Sequence, residues 1–217
     1  MVLAAQTDGA EVMMAGRVID VSNVPDYDVS NRSTLFAGQL LVCGIEGSLF
    51  FVLIAMYFYL RLQLDVWPPP GVTMPSPMLA TLALIPLLAS CIGSYRASEA
   101  AKRNDRKGMI FGMAANLVLA SLFLAFRTAE WDKLNFTWAS DVHGSIVWSM
   151  LFLHTYDVVA DLLFTSVLLI IVLAGKAGPK QRIGVHIDSV VWYFLVGIWV
   201  PMYAVIFWGP HVIGAPR

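Results

Sequence analysis

The chain has 217 residues, of which 58% are hydrophobic and 13% charged, with a mean hydropathy of +0.70. A water-soluble domain carries about 25% charged residues, so this composition excludes a wholly aqueous surface and points to an integral membrane protein. A net charge of -1, from 14 Lys and Arg against 15 Asp and Glu, excludes a basic nucleic-acid-binding field. Cys43 and Cys91 both lie in apolar runs and offer neither a zinc cage nor a disulfide framework.

In chain order, residues 1–33 form a polar, acidic arm interrupted by Pro25. The arm lacks a basic stretch followed by a short apolar one, so no cleavable signal peptide is expected; it is expected to lie along the cytoplasmic face. The membrane domain then occupies 34–217. Apolar runs at 35–60, 77–97, 108–127, 144–174 and 187–209 are each long enough to cross a hydrocarbon core of about 30 Å as a helix. None alternates with period two, so the fold class is all-α, a polytopic bundle of five transmembrane helices. Trp67-Pro68-Pro69-Pro70-Gly71 ends the first run, because proline lacks an amide donor. Gly175 and Gly178-Pro179 are read as ending the fourth. Pro86 falls inside the second and is expected to kink it.

Orientation follows from Lys and Arg. Ten lie on the side of the N-terminal arm and the loops after spans two and four, against four on the other side, among them Arg127. The positive-inside rule places the N-terminus in the cytoplasm and the C-terminus outside, in the periplasm of a bacterium. Trp67, Trp131, Trp138 and Trp208 then fall at the outer boundary, as an aromatic belt would.

Ionisable groups at bilayer depth are costly, so each requires a reason. Glu46 lies about 12 residues, or roughly 18 Å, into span one. On span four, His154, Asp157 and Asp161 are spaced three and four apart and share a helix face. These four are expected to form a buried polar cluster. It serves either as a proton relay or catalytic cluster, or as a set of interhelical contacts that fix packing. Three carboxyls and one imidazole at that depth cannot all be charged, and Glu46 is expected to be protonated. His154-x-x-Asp157 could meet a metal, but two ligands are no site. Haem ligation needs histidines paired at one depth. His143 and His211 lie at the outer edge, His186 at the inner edge, and His154 about 11 residues below His143. Gly108, Gly112 and Ala115 make a small-residue seam on span three, for packing within the chain or against a partner.

Taken in order, the motifs resemble subunit III of the haem-copper oxidases, the cytochrome c oxidase subunit III family. Glu46-Gly47-Ser48-Leu49-Phe50-Phe51 with Tyr57 is similar to that family's glutamate helix, and the Trp67-Pro68-Pro69-Pro70-Gly71 loop and Pro77-Met78-Leu79-Ala80-Thr81-Leu82 follow. Arg127-Thr128-Ala129-Glu130-Trp131 then stands where the family has Gln-x-x-Glu and an aromatic residue. Gly144-Ser145 with His154, and His186 with Val190-Val191-Trp192, complete the series. There are departures. Asp157 replaces the second histidine of the family's His-x-x-His, Asp188 sits one residue before the family's aspartate (Ser189 holds its place), and Ile45 and Ala80 stand for Ser and Asn.

The resemblance spans about 34–209 and implies the short five-helix bacterial form, in the bacterial inner membrane. It implies a non-catalytic subunit of a terminal oxidase in aerobic respiration, which reduces oxygen to water and translocates protons, with cytochrome c or quinol as electron donor. Haem and copper would reside in the partner catalytic subunit I, and this chain would have no redox centre of its own. Other oxidase subunits and membrane lipids would be its partners, and nucleic acid would not. Support of assembly and sustained turnover, and bound phospholipid, are further implications. Carried over by position, Glu46 and His154 would form the polar contact between spans one and four. Glu130 and His186, with Trp67 and Trp192, would meet lipid or the membrane boundary. Two other readings stay open: a subunit III-like partner of a nitric oxide reductase, and a haem-binding membrane anchor that passes electrons to quinone.

Overall fold

Ser33 opens the first helix, its hydroxyl accepting from the Phe36 amide at 3.2 Å. The structure, a computed structural model, describes residue 29 and residues 33–72 and 77–212, without the side chains of 211 and 212. Five long helices make it up: α1 Thr34–Gln63, α2 Pro77–Lys102, α3 Arg106–Trp131, α4 Val142–Leu173 and α5 Pro179–Tyr203. A π-helical turn, Ala204–Trp208, and a last helical turn, Gly209–Val212, extend α5. All five are long and apolar enough to span a membrane. Most of the 1–33 arm lies outside the described residues, as does the side chain of His211.

Three expected boundaries are corrected, among them the end of α2, which runs past 97 to Lys102. α5 begins at Pro179, eight residues before 187. Gly178-Pro179 is a helix start: proline at the first position gives up an amide that has no partner there in any case, and the Gln181 side chain accepts from the Gly178 amide at 3.1 Å. α4 is instead closed by Gly175, at φ 78°, with its amide on Val172 O at 3.1 Å and that of Lys176 on Ile171 O at 3.1 Å. Arg106 completes this end, donating from Nε to Val172 O at 2.9 Å and from Nη2 to Leu173 O at 2.7 Å. The third correction is at α3, which runs past 127 to Trp131.

α5 is central, touching α1, α2 and α4; α3 packs on α2 and α4, and α1 lies at the periphery against α4 and α5. The α2–α3 pair is the closest, and glycine makes it so. A Cβ on Gly112 would collide with the Ala97 backbone and stand 2.7 Å from Gly93 O, and one on Gly93 would stand 2.8 Å from the Asn116 amide. The small-residue seam therefore packs within the chain, Gly108 against Ala100 included. Between α2 and α5 the fit is polar: Trp192 Nε1 donates to Ser90 Oγ at 2.8 Å, Ser189 Oγ donates to Ser94 O at 2.9 Å, and Ser98 Oγ lies 2.7 Å from His186 Nδ1. The serines recur every four residues, one per helical turn. Outward, α1 presents Leu41, Ile45, Phe51 and Leu62, all more than two-thirds exposed, as a lipid-facing helix must.

Candidate functional site

Four carboxyls converge where α1, α4 and α5 meet. Asp161 of α4 is 7% exposed and Asp188 of α5 is 3% exposed. Glu46 of α1 and Asp157, one turn along α4, are half-buried. Glu46 lies within electrostatic reach of both Asp157 and Asp161, and Asp188 within reach of Asp161. Thr165, one turn past Asp161, donates its hydroxyl to both oxygens of Asp188, at 2.8 and 3.0 Å. Asp161 Oδ2 has no hydrogen-bond partner among the described residues. Asp161 and Asp188 share the wall of a cavity of about 220 Å³ with Gln39, Phe164, Ile187 and Val191.

The expected cluster is thereby recomposed. Asp188 joins it, and His154 leaves it. His154 is fully buried with Nε2 3.1 Å from Leu195 O, and its Nδ1 has no hydrogen-bond partner among the described residues. It sits among the rings of Trp199, Phe123 and Phe50, at 4.7, 6.2 and 6.3 Å between centroids. The expected Glu46–His154 contact is not among those His154 makes: it meets α1 at Phe50, one turn along from Glu46, and its ring nitrogen turns to Leu195 O of α5. Asp188 was legible as an acidic residue, but a span starting at 187 puts it at the membrane edge. Starting α5 at Pro179 sets it about nine residues, or roughly 14 Å, along the helix, where α1 and α4 cover it.

A second polar feature lies near the other end of α3. Arg127, counted from sequence as a boundary charge, is wholly buried, and its Nη1 donates to Glu130 Oε2 at 3.0 Å. Its guanidinium carbon stands 3.7 Å above the Trp199 ring and 5.1 Å from that of Phe123. The spacing of three brings the two charges together on one helix face, which lets α3 continue through a polar stretch. Arg127 Nε and Nη2 and Glu130 Oε1 have no partner among the described residues.

The four residues expected to meet lipid or the membrane boundary have buried side chains. Trp67 is 6% exposed, donating from Nε1 to the Tyr57 hydroxyl at 3.1 Å and packing on His143 at 4.9 Å. Trp192 is fully buried on Ser90, Glu130 is held by Arg127, and His186 is buried beside Ser98 with its ring stacked on Phe36 at 5.8 Å. In each case a polar atom at the tip finds an acceptor or donor inside the bundle, which a lipid chain could not supply. Of the proposed belt, Trp138 and Trp208 are exposed. Among the described residues no group of three or more His, Cys, Asp or Glu is arranged to hold a metal ion.

Comparison with known proteins adds to this geometry. The family model described as cytochrome c oxidase subunit III matches residues 26–210. The chain is similar to cytochrome c oxidase subunit 3 of Rhizopus stolonifer, 26% identical over 142 residues, covering 65% of this chain and 50% of that protein. It is also similar to the subunit 3 proteins of Trichophyton rubrum, 28% identical over 179 residues (79% and 66%), and Neurospora crassa, 25% identical over 191 residues (85% and 71%). It thus spans from half to about seven-tenths of the length of these relatives. With the matched region reaching across all five helices, the chain belongs to the cytochrome c oxidase subunit III family.

Proposed function

We propose that the chain is a non-catalytic subunit of a haem-copper terminal oxidase, packed in the membrane beside a catalytic subunit I that carries haem and copper. The observation that carries this reading is the family match across all five helices. Cytochrome c or quinol supplies the electrons, and the complex reduces oxygen to water while translocating protons. This subunit supports assembly and sustained turnover. The N-terminus faces the cytoplasm and the C-terminus the outside, as the Lys and Arg distribution argues. For the membrane we propose the bacterial inner membrane, on the resemblance to the short five-helix form; the three relatives named above are fungal proteins.

Bound phospholipid fits the residues present. A cavity of about 380 Å³ is lined by Pro77, Met78, Thr81, Leu82 and Trp208. Its walls are mostly apolar, and half-exposed Trp208 at its edge is a residue type enriched at headgroup level. Such a site takes an acyl chain. Oxidase activity in membranes of cells lacking this chain tests the proposal: loss of assembled enzyme, or inactivation during turnover, is expected. Unchanged oxidase content and unchanged progress curves would overturn it.

A further inference from the structure

Among the described residues, Asp161 and Asp188 have no cation acting on them. The described titratable groups that reach the pair are Glu46 and Cys43 from α1, both at Asp161 and neither basic, while Asp157 from α4 reaches Glu46. No Lys, Arg or His is among the groups acting on either carboxyl. Two buried carboxyls in mutual reach cannot both ionise in an apolar interior.

The hydrogen count leads to the same place. Four carboxyl oxygens are present, and among the described residues the Thr165 hydroxyl is the one donor to them, its single hydrogen spent on Asp188. Asp161 Oδ2, on a side chain more than nine-tenths buried, is left without a partner in the wall of the cavity. A buried acceptor without a donor is costly. One added proton between the two carboxyls removes a charge and supplies the missing donor together.

The cavity gives that proton a way in. Gln39 lies five residues after the start of α1, or roughly 8 Å along it, and Asp188 roughly 14 Å along α5. α1 and α5 begin, and α4 ends, at the same end of the bundle. Of the cavity's lining residues Gln39 stands nearest that end, and its amide is the polar group that α1 contributes.

We propose that Asp161 and Asp188 form a proton-binding site in which the two carboxyls share one exchangeable proton, taken up from water through the Gln39-lined cavity. The step is an acid–base one: water at the bundle end gives up a proton, a carboxylate oxygen takes it, and no electron moves. The site belongs to this chain alone and does not depend on which complex the chain serves.

The test is infrared difference spectroscopy across a pH step on native membranes carrying the intact complex, in H2O and D2O, with the background removed by variant subtraction. The expected result is a protonated-carboxyl carbonyl band that shifts in D2O, is lost or displaced in both Asp161→Asn and Asp188→Asn, and persists in Asp157→Asn. Thr165→Val keeps all carboxyls and is expected to shift the pH midpoint of the band, which guards against an Asp variant that fails to assemble. The proposal is overturned by absence of an exchangeable band, by a band answering to one aspartate alone, or by an unmoved midpoint in Thr165→Val. Replacement of the band on adding sodium at constant pH would also overturn it, making this a metal-cation site.

Discussion

Replacing either member of the Arg127–Glu130 pair should cost more than replacing both. The two side chains are 1% and 3% exposed and bonded at 3.0 Å, so little solvent reaches either charge. Glu130→Leu leaves a buried guanidinium unpaired, which costs about 3–5 kcal/mol. Arg127→Met leaves the carboxyl unpaired and also removes the guanidinium from the Trp199 face, a contact of about 2 kcal/mol when desolvated. In Arg127→Met/Glu130→Leu no charge remains to be paired, and apolar replacements of similar volume are often neutral or stabilising. The two single losses then sum to at least about 6 kcal/mol against a double variant near zero, a non-additivity above the roughly 0.5–3 kcal/mol usual for residues in contact. Unfolding of the purified complex in mixed micelles, followed by Trp fluorescence for the four members of the cycle, measures it. Strictly additive losses would refute the buried pair.

Glycine substitutions offer a second check, with Gly112→Ala expected to destabilise by about 1–3 kcal/mol because its Cβ meets the backbone of α2. Gly44→Ala, where nothing lies within 4 Å, is expected to be neutral or to stabilise by up to about 1 kcal/mol; equal melting temperatures for the two would mean the helices are further apart. Arg106→Ala should loosen the end of α4, raising amide hydrogen exchange at Gly175 and Lys176, and unchanged exchange there would remove Arg106 as its cap. A cysteine placed at Arg103 should react with an impermeant maleimide only from the cytoplasmic side; labelling from outside would invert the proposed orientation.

The five spans were legible in the sequence because apolar run length is a one-dimensional property, and α1 starts one residue from its expected place. The limits of α3 and α5 were not, since each hid in a local ambiguity. Gly178-Pro179 can close one helix or open the next, and only the Gly175 turn earlier in the chain decides between them. Arg127-Thr128-Ala129-Glu130 reads as a polar boundary until Trp199 from another helix covers the guanidinium. The candidate site divides the same way. Spacing put His154, Asp157 and Asp161 on one face, but which neighbour each meets depends on how α4 is rotated between α1, α3 and α5. The indole of Trp192 likewise gives no hint in sequence that Ser90 waits for it about a hundred residues away.

The central claim is that this chain sits in a haem-copper oxidase and carries no redox centre of its own. Purification of the tagged chain from native membranes in mild detergent, with a reduced-minus-oxidised spectrum and identification of co-purifying chains, tests it most directly. Haem is expected only while a large multi-helix catalytic partner is attached, with haem type and partner marking an oxidase rather than a nitric oxide reductase. Haem that stays with this chain after the partner is stripped away would contradict it and would turn the histidines into axial ligands.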